Sequence, residues 1–583
     1  MALTTVVGPV TPSSELRMIQ SENYDFDAIV VGSGISGGWA AKELTEKGLK
    51  VLVLERGRDI TPGLDYYGEH APDWKLPYQG KKPRELYENE YPIQSHGYAL
   101  NEGNRQFWNN DKDNPYVFDA EKPFYWMRAD VVGGRSLIWG RQTYRWCEQD
   151  FTANATDGHG IPWPIGYCDL APWYSHVEQF AGISGEALGL DELPDSEFLK
   201  PMEMHALEKT IQGRLRKKAP HVHMTIGRVA ILSEDHNGRA ACHYCGPCDR
   251  GCSTGSYFSS HSATLPAARA TGNLTLKANA VVERLEYDAQ GGRVSAVHVI
   301  DSQTGERSAF RARLYFLCAS TVGSTQILMN SRSEAFPDGL GNRSGALGHY
   351  MMDHVYGVGI TGIFYDDMDR YWFGNRPNGT YIPRFRNLGD QDDDAGFLRG
   401  YGYQGAAMRM DWKTGFNKRG FGADLKESLR KPGPWVFHLA GFGEVLPQYA
   451  NRMYLDAKKV DRFGIPQVGF SCQWGDNERM IRDDMLEQGE ALMKAAGAVF
   501  TVKQGEMGEP GLGIHEMGTA RMGDDPTQSV VNAHNQVHGA PNVFVTDGAC
   551  MTSSSCVNPS LTYMALTARA CDYAVKQLAQ GRL

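Results

Sequence analysis

Apolar residues along this chain follow two rhythms, and each change of rhythm marks an element. Residues 28–31 and 51–54 are short unbroken apolar runs rich in β-branched side chains, the pattern of strands buried on both faces. Between them, 36–47 places Ala40, Ala41 and Leu44 on one helical face, and Gly48 stops the helix. The stretch from Phe26 to Gly57 therefore predicts strand, glycine turn, helix, strand. After Asn273 the period becomes two. LTLKANAVVERLEYD and RVSAVHVID, separated by Gly291-Gly292, predict a hairpin, and ARLYFLCAS a further strand. Helical spacing marks 170–180, 201–215, 321–332 and 477–496. Alternation over 435–446 predicts an antiparallel sheet. At the C-terminal end, 543–546 reads as a strand and 559–580 as a helix with Pro559 at its first position.

Other stretches have no clear period. Residues 58–124 are rich in Tyr, Pro, Trp and Asn and predict loops and short elements, a lid among them. Residues 345–510 are rich in Gly, Asp and aromatics, with a loop-like acidic cluster at Asp390, Asp392, Asp393 and Asp394. At 583 residues the chain exceeds what one core usually serves. Its net charge of −10, with no basic block, argues against nucleic acid as a partner. No run of eighteen apolar residues predicts a spanning helix. The first 24 residues read as a loose arm; they lack a basic stretch followed by an apolar core and do not read as a secretory signal.

The chemistry begins at the first turn. Gly32, Gly34 and Gly37 stand in G-x-G-x-x-G. The first permits the turn, the second lets backbone approach a pyrophosphate, and the third lets helix and strand pack closely. Glu55, at the end of the second strand, suits the hydroxyls of a ribose. The motif alone does not separate FAD from NAD. Further on, Gly133-Gly134 permits close backbone approach to a flat ligand or a phosphate.

Eleven cysteines are present, and four crowd into CHYCGPCDRGC. Cys242, Cys245, Cys248 and Cys252 have the spacing C-x2-C-x2-C-x3-C, which suits an iron–sulfur cluster, [4Fe–4S] or [3Fe–4S]. Structural zinc, which usually draws two separated knuckles, is the competing reading, with disulfides a third. A cluster accepts single electrons whereas an alcohol gives up two together. A flavin handles both, and this moves the dinucleotide from NAD towards FAD.

Two C-terminal motifs, GIHEMGTARMG at 513–523 and VFVTDGACMTSSSCVNPSLTYM at 543–564, complete the pattern. With the N-terminal unit, the Gly133-Gly134 turn and CASTVGSTQIL at 318–328, the chain resembles the glucose–methanol–choline (GMC) flavoprotein oxidoreductases over most of its length. Its cysteine loop resembles those of bacterial FAD-dependent sugar dehydrogenases, glucoside 3-dehydrogenase above all. The resemblance implies His515 as the base for the substrate hydroxyl and Asn558 as its active-site companion. It implies Asp547 and Gly548 as a flavin-contact turn, and Gly133, Gly134 and Ser136 as a loop against the flavin ring. Val282 would lie on a strand that meets the adenine. Relatives that bond FAD covalently do so through a histidine in an S-T-H-W stretch. Ser136, Leu137, Ile138 and Trp139 stand here instead, so FAD is expected to be non-covalent.

The residues agree with this chemistry. Histidine suits a base near neutrality, and the uncharged Asn558 can hold the same oxygen. Asn558 also reads as a helix cap before Pro559, and the helix start would favour negative charge on a reduced flavin. His349 and His354 read as structural, His534 and His538 as surface-loop residues, and Arg521 as a brace for its loop.

The expected fold is α/β: a Rossmann-type FAD-binding domain with a discontinuous α+β substrate domain on an antiparallel sheet, like that of GMC proteins. The FAD domain would take 25–150 (with the lid-like loops), 236–344 (with the cysteine loop) and 511–583; 151–235 would be a helical substrate-side segment and 345–510 the substrate domain. The expected activity is oxidation of a secondary hydroxyl of a sugar or glycoside to a ketone, at C3 of a glucoside; the alternatives are another bacterial sugar or polyol dehydrogenase (glucose C1, gluconate C2, sorbitol or fructose) and an oxygen-using sugar oxidase. Electrons would pass to a cytochrome c or quinone-linked acceptor. A small partner subunit would carry the export signal and place the enzyme at the periplasmic side of the membrane; a cytoplasmic enzyme is the alternative.

Overall fold

The computed structural model describes residues 24–370, 375–389, 395–410, 420–430 and 432–583; all of the arm 1–24 except Tyr24, and the acidic cluster Asp390, Asp392, Asp393 and Asp394, lie outside them. Six strands form the nucleotide-side sheet, in the order Gln536–Val537, Ala540–Val545, Ala312–Leu317, Phe26–Val31, Val51–Leu54, Leu274–Lys277. All neighbours are parallel except the first pair. Val51–Leu54 is buried along its whole length, which is why it reads as an unbroken apolar run; Ala312–Leu317 is buried throughout as well, although it carries Arg313. One face (Ala28, Val30, Val53, Leu314, Phe316) packs with Ala40, Ala41 and Leu44 of helix Ile35–Glu46 and Ala570 and Ala574 of helix Ser560–Ala579. The other face (Ile29, Val31, Leu52, Leu54, Leu317) joins a larger core that includes Leu285, Val297 and Val299 of a separate three-stranded sheet.

That separate sheet differs from the sequence expectation. The single run expected over 274–288 is two strands in two sheets. Leu274–Lys277 pairs parallel with Val51–Leu54, whereas Ala280–Asp288 pairs antiparallel with Arg293–Asp301. Asn279 makes the break. Its φ is +57°, a left-handed conformation open to few residues besides Gly, Asn and Asp, and its N–H bonds Gly57 O at 2.8 Å.

The substrate side is built on a second six-stranded sheet, in the order Phe500–Gln504, Gly359–Phe364, Trp435–Gly443, Tyr401–Arg409, Thr380–Ile382, Thr225–Ile226, antiparallel throughout. Trp435–Gly443 alternates fully and half-buried residues, as its sequence alternation requires. One face takes helix Asp476–Ala496: Tyr403 Oη donates to Met485 O at 2.6 Å. The opposite face carries Gln404 and Phe442 into the cavity described below. Within 151–235, helix Tyr167–Ala181 packs on the nucleotide side, with Tyr174 Oη 2.8 Å from Thr562 Oγ1. Helix Ala206–Lys218 packs against Asp476–Ala496 on the substrate side.

Candidate active site

A cavity of ≈ 310 Å³ lies between the two sheets. Of the cofactor and catalytic residues expected from the sequence, all but Gly37 and Gly133 line it. Those two act from behind the wall. A Cβ on Gly37 would stand 1.9 Å from Gly32 O, and Gly133 holds φ +98°. Gly34 behaves in the opposite way, since a Cβ there would meet no protein atom within 4 Å. It faces open cavity at the start of helix Ile35–Glu46, which has no side-chain cap, so its first N–H groups are available to a phosphate. Ser33 ties the turn together. Its Oγ donates to Glu55 Oε2 (2.5 Å) and accepts from Gly133 N (2.9 Å), while Gly57 N donates to Glu55 Oε1 (2.8 Å). Burial raises the Glu55 carboxyl above its usual range. A phosphate-ready helix start, a glycine open to the cavity and a carboxylate beside Val282 fit a dinucleotide of the FAD type.

At the other end, His515 and Asn558 meet: Asn558 Nδ2 lies 3.2 Å from His515 Nε2. The last helix begins at Ser560, after Pro559, and the Asn558 side chain bonds His515 and Gln404 rather than capping that helix. His354, read from the sequence as structural, is the residue that reading missed. It is fully buried, with Nδ1 2.8 Å from His515 Nδ1 and Nε2 2.8 Å from Ser555 O. A carbonyl oxygen only accepts, so His354 Nε2 carries the hydrogen. Burial lowers the His354 pKa to about 4, so the ring is neutral and its Nδ1 is bare. His515 Nδ1 must then donate, which leaves His515 Nε2 unprotonated, with its lone pair towards Asn558 Nδ2 at the cavity wall. Burial first, and then the neighbouring His354 and Arg135, hold His515 well below the usual imidazole value.

Asp353 supports the same loop through its backbone. One carboxylate oxygen accepts from Gly511 N and Gly513 N (both 2.9 Å) and the other from His515 N (3.0 Å). Burial and the nearby Glu516 charge push this carboxyl up to about 7, against the pull of those N–H groups. Met352 and Met517 exchange backbone bonds of 2.9 and 3.0 Å, so segment 352–354 runs alongside 515–517. The sequence signal was the adjacent Asp-His pair, which has no periodicity to betray it. Arg135 clamps Glu516 with two bonds of 2.9 and 2.6 Å. Asp547 accepts from Ser324 Oγ (2.5 Å) and Ala549 N (3.0 Å), and burial pushes it up to about 6. Tyr98, Tyr356 and Phe442 form an aromatic wall near His515, with centroids 6.2 Å apart for Tyr98–Tyr356 and 5.5 Å for Tyr356–Phe442.

Among the remaining histidines, His349 stacks on Tyr449 and bonds its carbonyl at 2.8 Å, a structural role. His534, stacked on Tyr573, and His538, bonded to Ser529, are half-buried rather than loose on the surface. Arg521 stacks on Tyr350 at 3.7 Å.

The four loop cysteines are half-buried free thiols. Among the described residues, no three of their sulfurs lie within 4.8 Å of one another; the one group of ligand atoms that does is His70, His243 and Cys245. Burial raises the Cys242, Cys245 and Cys248 thiols, and neighbouring loop cysteines raise each of them further. The loop abuts the cavity wall. Asn101 and Asn104, just after wall residues Tyr98 and Ala99, both donate to Asp249 Oδ2. Arg141, whose charge acts on Cys248, lies 4.7 Å over the Tyr257 ring and donates to Trp139 O at 2.9 Å; Trp139 also lines the cavity.

A glycine cradle for a dinucleotide facing an imidazole–amide pair defines an oxidoreductase that acts on CH–OH groups. The chain belongs to the GMC oxidoreductase family, whose profiles match residues 26–356 and 447–567. GMC oxidoreductases bind FAD. The chain is 30% identical to 2-methyl-1,2-propanediol dehydrogenase of Mycolicibacterium austroafricanum, over 94% of each chain. It is 25% identical to the fructose dehydrogenase large subunit of Gluconobacter japonicus, over 97% of this chain and all of that one. Among solved structures, pyridoxine 4-oxidase from Mesorbium loti shares the fold, with a TM-score of 0.57 at 16% identity over 94% of this chain and 99% of that one.

Proposed function

We propose that this enzyme oxidises a secondary ring hydroxyl of a sugar or glycoside to a ketone, at C3 of a glucoside, and passes the electrons through an iron–sulfur cluster to a cytochrome c or quinone-linked acceptor. The bare Nε2 of His515 beside Asn558 carries the reading. As the O–H bond breaks, its proton goes to His515 Nε2; as the C–H bond breaks, hydride leaves carbon and C=O forms. When bound, FAD supplies the hydride acceptor. Asn558 holds the substrate oxygen through Nδ2, and the aromatic wall suits the C–H faces of a sugar ring.

The cluster reading is supported by four thiols on one loop against the cavity wall. Their C-x2-C-x2-C-x3-C spacing is the run that suits a cluster, so Cys242, Cys245, Cys248 and Cys252 would be its ligands. The C3 position rests on the resemblance of the cysteine loop to glucoside 3-dehydrogenases. We place the enzyme on the periplasmic side with a small partner subunit; the relative named as a large subunit supports a partner. Recovery only in cytosolic fractions, with neighbouring genes expressed, would overturn that placement.

A small-diol dehydrogenase is the second reading, favoured by the name of the relative at 30% identity. An oxygen-using oxidase would instead give stoichiometric peroxide and gain nothing from artificial acceptors. One experiment separates the substrates: anaerobic bleaching of the bound flavin across sugars, glycosides and small diols, with the product carbonyl located by NMR. A 3-keto glycoside from the fastest substrate is expected. Bleaching by small diols alone, or an aldehyde or lactone product, would overturn the proposal.

A further inference from the structure

The hydrogen-bond chain that bares His515 Nε2 does not end at Asn558. Since that nitrogen holds a lone pair, Asn558 must turn its donor Nδ2 towards it. The amide oxygen Oδ1 then points the other way and needs a donor of its own. Gln404 Nε2 supplies it at 2.6 Å. The proton positions in this line follow from two facts: the Ser555 carbonyl can only accept, and the buried His354 ring is neutral. The order is Ser555 O, His354, His515, Asn558, Gln404, with each donor pointing the same way.

Gln404 is placed to hold this order. It sits in mid-strand, with its backbone opposite Tyr381 on one side and Ala440 on the other. Its neighbour Tyr403 is anchored to helix Asp476–Ala496 on the far face. Asn558, by contrast, sits at a loop-to-helix junction. We propose that Gln404 is a positioning residue that sets the polarity of the base: by donating to Asn558 Oδ1 it keeps Asn558 Nδ2 on His515 Nε2 and on the incoming substrate oxygen. It also joins the substrate sheet to the proton-accepting pair. The inference rests on the reading of His515 as base.

The other titratable groups at this end are Tyr98, exposed at the cavity rim, Tyr356, pushed up to about 12, Tyr563, raised by burial, Arg135, held by Glu516, Asp353, pushed up to about 7, Asp547, pushed up to about 6, and, on the neighbouring strand, His438, lowered by burial. All are shared by wild type and Gln404→Glu, so the test reads the difference between the two profiles. His354 behind His515 is lowered to about 4.

The test is the anaerobic flavin-reduction rate against pH for wild type, Gln404→Glu, Gln404→Met and His515→Ala, with flavin content measured for each. An ionised carboxylate in place of the Gln404 amide can only accept, so it would draw Asn558 Nδ2 away and turn Oδ1 onto the lone pair. Gln404→Glu is therefore expected to fall about 10- to 10²-fold as pH rises through the new carboxyl's pKa, and to recover at lower pH, where a protonated carboxyl donates again. Gln404→Met, which has no donor, is expected to lose rate without the added pH limb. A Gln404→Glu profile parallel to wild type, with full flavin content, would overturn the positioning role. If His515→Ala alone is slow, only this inference fails; if His515→Ala is as fast as wild type, the base itself is misassigned.

Discussion

His515 can act as a base near neutrality because its surroundings take away both its charge and its freedom. Burial makes the imidazolium costly, and His354 makes only one tautomer comfortable. A base must be unprotonated to work, so activity is lost as pH falls through its pKa. That pKa lies well below the free value, so His515 itself should give flavin reduction no acid limb near the ordinary imidazole range. Asp353, pushed up to about 7, titrates in that range, so a stopped-flow pH series on wild type and Asp353→Asn checks this; a limb at the free imidazole value that survives in Asp353→Asn would mean the ring is not held as described. Asp353 bears on the same residue through the backbone. Asp353→Ala leaves three N–H groups without their acceptor, and about 2–3 kcal/mol of stability should go, together with a slower reduction step. Denaturant unfolding and single-turnover kinetics read the two effects separately.

Among the elements, the glycine turn makes two different demands. Gly37 is a packing requirement, with no room for a methyl beside Gly32 O, whereas Gly34 is a ligand requirement, open on the protein side. Gly37→Ala should therefore lower both the thermal stability of the FAD-free protein and its FAD binding. Gly34→Ala, at φ −67°, should leave that stability within about 0.5 kcal/mol while FAD binding falls sharply. Differential scanning with and without FAD tells them apart. Elements of this kind were legible in the sequence, because a buried parallel strand is mostly apolar and a pyrophosphate turn needs glycine. The break at Asn279 was not, since it depends on one left-handed residue finding Gly57 O across the fold. His354 was hidden for a similar reason: its role comes from segment 352–354 lying beside 515–517, an adjacency made by tertiary pairing far apart in the chain.

For the whole molecule, the cavity gathers its walls from both sheets, and the cysteine loop is tied beside those walls through the Asn101 and Asn104 bonds to Asp249, with the Arg141 charge acting on Cys248. That layout predicts separable half-reactions. Cys248→Ser should lower iron content and turnover with one-electron acceptors, yet leave anaerobic flavin reduction by substrate near the wild-type rate. Iron analysis with the two assays checks it; intact acceptor turnover in an iron-free variant would remove the cluster from the electron path.

The central claim is that His515 Nε2 receives the proton as the substrate carbon gives up hydride. Single-turnover flavin bleaching in His515→Ala, under anaerobic conditions and with FAD content equal to wild type, tests it most directly. The account predicts a rate about 10²-fold lower or more; a rate close to wild type would contradict it.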